Sequence, residues 1–178
     1  MKMKKLFLFA VLLITAMASA QKNSILLGGN VGFSYDKDGE SKVENFEFSP
    51  KVGYQFADQW TAGVEGSIMS AKTKGEDTTE KYKIGGFVRY TVPLSEVFSI
   101  FGDLGAGYQS TNVNDQKGMY ASLTPALFIN MKRGFGLNFS IGGINYDNLN
   151  GKNDPREEHF GFNFGKTLNI GISKNFGL

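Results

Sequence analysis

Apolar and polar residues alternate with a period of two along most of the chain from residue 24 onward. In the first such segment Leu27, Val31 and Phe33 alternate with small or polar residues. Successive side chains of a β-strand point to opposite faces, so this pattern predicts strands with one apolar and one polar face. Eight such segments follow one another, at residues 27–35, 46–56, 60–68, 82–92, 98–108, 119–129, 135–142 and 160–176.

The alternation does not say whether the apolar face points into a core or out to lipid. The chain after the N-terminal segment has no run of about 20 apolar residues that would make a transmembrane helix. A membrane location therefore requires a closed barrel, because unpaired backbone groups are too costly in lipid. The segments have the roughly ten-residue length typical of transmembrane barrel strands. We expect an all-β fold: an eight-stranded antiparallel up-and-down transmembrane β-barrel after a cleaved signal peptide.

The predicted connections between the segments alternate in length. Short joins are expected near residues 57–59, 93–96 and 130–133, and longer polar joins near 36–42, 71–81, 111–117 and 147–158. Outer-membrane barrels have short periplasmic turns and longer extracellular loops. An even number of strands would then place both termini on the periplasmic side.

Aromatic residues cluster near both ends of the predicted strands. Such residues prefer the two membrane–water interfaces, so the clusters favour a membrane barrel, although an ordinary β core is the alternative. The clusters are Tyr54, Phe56, Trp60, Tyr90, Phe98 and Phe176 near the short turns, and Tyr35, Phe46, Tyr108 and Phe160 near the long loops.

The polar face of the predicted strands carries charges of both signs. Ionised groups are costly in a barrel interior unless they are paired, and eight strands enclose a lumen only wide enough to be filled by side chains. We therefore predict a paired charge network that fills the lumen. Its members are Glu47, Lys51, Glu65, Lys83, Arg89 and Asp103. Lys166 interrupts the apolar face of the last strand, and a bulge near Gly165 would account for it.

The first 20 residues have the three parts of a secretory signal peptide. Lys2, Lys4 and Lys5 precede an apolar run over 6–14, and Ala18-Ser19-Ala20 precedes Gln21. The apolar run is too short to span a bilayer as an anchor, the alternative interpretation. We predict cleavage between Ala20 and Gln21, which leaves residues 21–178 as one outer-membrane barrel domain.

Composition excludes several classes of function. The chain has no cysteine and one histidine, His159, so we expect no disulfide, no metal site and no cofactor. Removal of the three leader lysines changes the formal net charge from +2 to −1. A nearly neutral mature chain has no basic stripe, so we expect no nucleic-acid partner.

Four stretches resemble the small outer-membrane β-barrel family, which includes the OmpA transmembrane domain and OmpX, and in particular its Bacteroidota-type members. They are Ser49 to Tyr54 (SPKVGY), Trp60 to Val64 (WTAGV), Gly85 to Tyr90 (GGFVRY) and Asp103 to Tyr108 (DLGAGY). The resemblance spans the mature chain and implies an outer-membrane location. It also implies outer-membrane lipid as surroundings, the barrel-assembly machinery as a partner during insertion, and an extracellular loop partner of unknown identity. Since no segment follows the eighth strand, we expect no OmpA-type peptidoglycan-binding domain.

Four functions are compatible with these features, and the first is favoured. It is a non-enzymatic outer-membrane barrel with a structural or surface-interaction role and a plugged lumen. A soluble periplasmic barrel that binds a small ligand would turn the apolar face inward. A lipid-modifying enzyme would need His159 as its base, but Gly161 stands where the lipid A deacylase pattern has serine. A porin-like channel would need an open lumen.

Overall fold

A computed structural model describes residues 24–38, 41–73, 75, 77–151 and 156–177, apart from the side chains at 34–38, 41, 166 and 167. The predicted signal peptide and its cleavage site at Ala20 and Gln21 lie outside the described residues. Eight antiparallel strands form one closed barrel in chain order, which confirms the predicted fold class. The strands are β1 Ser24–Asp38, β2 Ser41–Gln55, β3 Trp60–Thr73, β4 Thr79–Pro93, β5 Phe98–Thr111, β6 Lys117–Lys132, β7 Phe135–Asn150 and β8 Glu157–Gly177. No helix in the described part of the chain is long and apolar enough to cross a membrane.

The apolar face of the strands points outward. Large apolar side chains along every strand are exposed on the outer surface, among them Val31, Phe48, Val64, Ile84, Leu104, Leu123, Ile141 and Ile172. The residues between them face the lumen, where the buried side chains are Leu26, Phe87, Phe101 and Tyr120 together with polar ones such as Arg89, Asp103 and Ser173. This is the arrangement of a barrel whose outer surface meets lipid. A soluble carrier with an apolar cavity would need the opposite orientation.

The barrel has a turn end and a loop end. The turn end carries residues 56–59, 94–97 and 133–134, in keeping with the predicted short turns. At the loop end, the described residues between strands are 75, 77–78, 112–116, 151 and 156. The prediction of a long first loop over 36–42 is wrong, because strand pairing continues to Asp38 and resumes at Ser41. The β1–β2 ladder continues through polar residues beyond the apolar part of both strands. A loop predicted from polarity alone is therefore longer than the connection in the structure.

Two register shifts, one between β6 and β7 and one between β7 and β8, lie at a similar height. β6 and β7 change register between Leu123 and Ala126, next to Pro125, which cannot donate a ladder hydrogen bond. β7 and β8 change register where Gly142 (φ +112°) and Gly165 (φ +75°) adopt a backbone conformation that favours glycine. The position of Lys166 in the sequence predicts a bulge near Gly165, and the structure has a register change there.

The seam between β1 and β8 is paired over part of its length. Seven residue pairs join the two strands, from Ser24 with Gly177 to Asn30 with Gly171. Beyond Asn30, β1 continues to pair with β2, and β8 continues to pair with β7 above its bulge. The seam is therefore closed at the turn end and has no ladder at the loop end.

Candidate functional site: the charged lumen

Four charged side chains from four adjacent strands meet in the lumen. Arg89 and Asp103 are directly opposite each other on β4 and β5, and Lys51 and Glu65 are directly opposite on β2 and β3. The Lys51 ammonium joins the two pairs, since it lies 2.9 Å from both Glu65 Oε2 and Asp103 Oδ2. Strand alternation explains why all four point inward, and the register explains why each pair is adjacent. These four residues are called the lumen cluster below.

The arginine of the lumen cluster is held by a carboxylate and a ring. Its Nε donates to Asp103 Oδ1 at 2.7 Å and its Nη2 donates to Asp103 Oδ2 at 2.9 Å. Its guanidinium carbon lies 3.7 Å from the centre of the Phe101 ring. A bidentate carboxylate and a stacked ring are the contacts that a planar guanidinium makes best, and Lys could not reproduce them.

Aromatic residues surround the lumen cluster. The Phe87 ring lies under the Lys51 ammonium, with the nitrogen 5.1 Å from its centre. The Tyr120 hydroxyl on β6 donates to Glu65 Oε1 at 2.9 Å. Every ionised group of the cluster has a charged partner, which is the condition for keeping charges in a barrel interior.

A second charged group lies closer to the loop end. Asp147 on β7 is 3.0 Å from Lys83 and 3.4 Å from Lys81, both on β4. Because β4 and β7 are not neighbours in the barrel, these ion pairs cross the lumen. The Lys83 ammonium also lies 4.9 Å from the centre of the Tyr120 ring, which connects this group to the lumen cluster.

The structure brings the six predicted lumen residues into three places. Lys51, Glu65, Arg89 and Asp103 share the lumen cluster, whereas Lys83 belongs to the second group. Glu47 accepts a hydrogen bond from the Ser49 hydroxyl at 2.7 Å, on the loop-end side of the cluster. Sequence reasoning missed Asp147, Lys81 and Tyr120. Tyr120 lies on the polar face of a predicted strand, but Lys81 and Asp147 lie in the predicted joins 71–81 and 147–158.

Little space remains beside the lumen cluster. A cavity of about 50 Å³ is lined there by Lys51, Arg89, Asp103, Asn30 and Ser140, among others. Glycines on the lumen face make room for the large side chains. A β-carbon at Gly105 would contact the Glu65 carboxylate, and one at Gly53 would lie 3.0 Å from the Phe87 ring.

Two further residues singled out in the sequence have definite places in the fold. His159 is exposed on β8 at the loop end, directly opposite Asp147, and its ring lies beside Gly161. Trp60 and Tyr90 face outward at the turn end with ring centres 4.7 Å apart. Within the described residues, no group of three or more His, Asp or Glu side chains is placed to hold a metal ion.

A closed barrel with an apolar exterior and a charged interior defines the class: an integral membrane β-barrel. The chain belongs to the outer membrane protein beta-barrel domain family, whose sequence profile matches residues 6–125. The protein is accordingly an outer-membrane protein. No protein with curated annotation matches it in sequence.

Solved structures of outer-membrane proteins are similar to this chain at low sequence identity. The crystal structure of OprG from Pseudomonas aeruginosa matches with a TM-score of 0.50 and 13% identity, over 89% of this chain and 98% of that chain. The backbone structure of Ail from Yersinia pestis in a nanodisc matches with a TM-score of 0.45 and 16% identity, over 88% and 100%. The outer membrane enzyme PagL matches with a TM-score of 0.41 and 9% identity, over 86% and 99%. The likeness to OprG concerns the fold alone.

Proposed function

We propose that this protein is a non-enzymatic outer-membrane barrel with a structural or surface-interaction role and a lumen closed by side chains. The observation that carries the proposal is the Lys51 ammonium, which joins the Lys51–Glu65 and Arg89–Asp103 pairs across the lumen. A network in which each charge is paired and hydrogen-bonded resists rearrangement, because the loss of one partner leaves another charge buried and unpaired.

The surroundings of His159 support a role other than lipid hydrolysis. A hydrolase of the serine type needs a nucleophile within hydrogen-bond reach of its base. A β-carbon at Gly161 would lie 3.4 Å from His159 Nε2, so a side chain at this position would be near the imidazole. Glycine supplies no hydroxyl there. His159→Ala should leave the acyl-chain composition of the host outer membrane unchanged, whereas accumulation of a more acylated lipid would contradict the non-enzymatic proposal.

A surface role is consistent with the charged residues around the loop end. Lys72, Asp77, Arg156 and Glu158 are exposed there, and Arg156 and Glu158 lie 2.8 Å apart as an ion pair. Loops on a rigid barrel are the usual place for contacts with partners. We also propose that the chain uses the barrel-assembly machinery for insertion and outer-membrane lipid as its surroundings, as the family membership implies.

Single-channel recording in planar bilayers tests the closed lumen. The unmodified protein should give no current steps. A variant with Lys51→Ala and Arg89→Ala, which removes both cations of the lumen cluster, should give small current steps. Val88→Ala, on the outer face of β4, is the matched control and should remain silent. Current steps from the unmodified protein, with the same amplitude in all three proteins, would contradict a lumen closed by this network.

A further inference from the structure

Two lysines share the outer surface of the barrel at one side of the turn end. Lys132 at the end of β6 is directly opposite Phe135 at the start of β7, and Phe135 is directly opposite Lys174 on β8. All three residues are exposed, and directly opposite residues of a ladder point to the same face. Because adjacent strands lie about 4.8 Å apart, the backbones of the two lysines are about 10 Å apart, with Phe135 between them.

A third cation lies in the turn next to this row. Arg133 is exposed in the connection of β6 to β7. The connection is bonded to β8, since the Asn175 backbone N–H donates to the Gly134 carbonyl at 2.9 Å. That bond keeps the turn, and with it Arg133, beside the end of β8. The three cations Lys132, Arg133 and Lys174 are called the basic patch below.

The Lys174 side chain extends toward the turn end. Its ammonium lies 4.8 Å from the centre of the Phe176 ring. Phe176 is two residues closer to the turn end on the same outward face, and its ring is partly exposed. The ammonium is therefore at the level of the membrane–water interface, where a phospholipid carries its phosphate.

The basic patch lacks an anionic partner within the chain. None of the described carboxylates lies at ion-pair distance from its three cations. The other two connections of the turn end, residues 56–59 and 94–97, contain Asp58 and Glu96 and no basic residue. At the described turn end, positive charge on the outer rim therefore collects on the β6–β8 side. The patch has capacity for an anion from outside the chain.

Apolar side chains continue the same face away from the turn end. Leu137 on β7 is directly opposite Ile172 on β8, two residues further from the turn end than Phe135 and Lys174. Ile172 is exposed on the outer surface. A ligand that matches the patch and this wall has an anionic head at the interface and a hydrocarbon chain below it.

We propose that the basic patch binds the phosphate of an anionic phospholipid of the phosphatidylglycerol type, with an acyl chain along Leu137 and Ile172. A zwitterionic phospholipid carries an ammonium beside its phosphate, so it complements a patch of three cations less well. The barrel thus has a preferred lipid on its β6–β8 side and no such preference on the side of Asp58 and Glu96.

Quenching by brominated phospholipids tests the proposal. Trp60→Phe with Phe135→Trp places the one tryptophan of the chain between the two lysines. The unmodified chain is the matched control, because its Trp60 begins β3 directly after the turn that contains Asp58. Each protein is reconstituted in phosphatidylcholine vesicles at low ionic strength. Dibrominated phosphatidylglycerol or dibrominated phosphatidylcholine then replaces an increasing fraction of the lipid.

The proposal predicts that half quenching of the tryptophan at 135 needs a roughly fivefold lower fraction of the phosphatidylglycerol, in keeping with the attraction of basic residues to anionic lipid. Trp60 should show no preference. Lys132→Gln with Lys174→Gln should remove the preference at 135, whereas Lys132→Arg with Lys174→Arg should retain it. Equal quenching by the two lipids at 135, or the same preference at both positions, would overturn the site.

Two further titrations identify the head. Inorganic phosphate at matched ionic strength should leave the preference at 135 unchanged, whereas its loss would assign the patch to free phosphate and overturn the lipid site. Dibrominated phosphatidylethanolamine should quench no better than the phosphatidylcholine, and a preference equal to that for phosphatidylglycerol would overturn the anionic head. A boiled-versus-unboiled mobility shift on a cold SDS gel checks that every variant is a folded barrel.

Discussion

Arg89 on β4 donates two hydrogen bonds to Asp103, the residue directly opposite it on β5, at 2.7 and 2.9 Å. Both residues are more than nine-tenths buried, with 8% and 4% of their surface exposed. The pair is thus a fork of parallel hydrogen bonds inside the barrel, and the Lys51 ammonium is also bound to Asp103 Oδ2. Because the two residues are cross-strand neighbours, the strand register alone is enough to bring them together.

Removal of one member of this pair should destabilise the barrel strongly. Arg89→Ala leaves the Asp103 carboxylate buried with Lys51 as its remaining cation, so we expect a loss of about 3 to 5 kcal/mol in the free energy of unfolding. Urea unfolding in detergent micelles measures it. The control is Lys117→Ala, which breaks a pair with Asp115 whose side chains are 71% and 64% exposed and should cost less than about 1 kcal/mol. Equal losses would argue against a lumen network that stabilises the fold.

Two glycines of β5 should differ sharply in their tolerance of alanine. Gly105 faces the lumen, where an added β-carbon would contact the Glu65 carboxylate, whereas Gly102 faces outward and has no atom within 4 Å of that position. Gly105→Ala should cost about 1 to 3 kcal/mol through overpacking. Gly102→Ala should be neutral or slightly stabilising, since alanine restricts the unfolded chain more than glycine does. Urea midpoints compare the two variants, and equal midpoints would contradict a tightly filled lumen.

The β6–β7 turn should accept asparagine better than its own arginine. Arg133 and Gly134 both have positive φ, +51° and +75°, in a two-residue connection between Lys132 and Phe135. Asparagine adopts this conformation more readily than arginine, and Asn-Gly is the preferred pair in such turns. Arg133→Asn should therefore raise the urea midpoint, and Gly134→Ala should lower it. An increase on Gly134→Ala would show that the turn has a different geometry.

Quenching of Trp60 fluorescence should show that the turn end lies at the membrane interface. It is the one tryptophan of the chain, it faces outward, and its ring lies against Tyr90. Amphipathic rings prefer the headgroup zone, so brominated lipids labelled near the headgroup should quench Trp60 more than lipids labelled near the chain end. The control is Trp60→Phe with Val64→Trp, four residues further along the outward face of β3, which should show the reverse order. If lipids labelled near the chain end quenched Trp60 more strongly than lipids labelled near the headgroup, the turn end would lie inside the hydrocarbon.

Strand number, strand faces and fold class could be predicted because each depends on local alternation, which is visible in segments such as Leu27 to Tyr35. Inward placement of Lys51, Glu65, Arg89 and Asp103 follows from the same rule. The contact of Asp147 with Lys81 and Lys83 could not be predicted, because it depends on which residues of non-adjacent strands share a height in the closed barrel. Asp147 and Lys81 also lie in polar stretches that predict loops, although they belong to β7 and β4.

The incomplete β1–β8 ladder could not be predicted from the sequence pattern either. Val31 and Phe33 continue the alternation of β1, and Leu168 and Ile170 continue that of β8. Their failure to pair follows from the register shift around Gly142 and Gly165, where β8 accommodates extra residues. The bulge was expected from the irregular position of Lys166, but its effect on the neighbouring seam depends on the packing of three strands.

Heat modifiability tests the central claim, a closed barrel in the outer membrane, most directly. The outer-membrane fraction is run on a cold SDS gel with and without boiling. A closed barrel resists SDS until it is heated, because its hydrogen-bonded strands lack the edges from which a sheet frays, apart from the part of the β1–β8 seam beyond Asn30. We expect the unboiled protein to run at a different mobility from the boiled protein, which should run at the full chain mass. Identical mobility in both samples, with the protein recovered in the soluble fraction, would contradict the closed barrel.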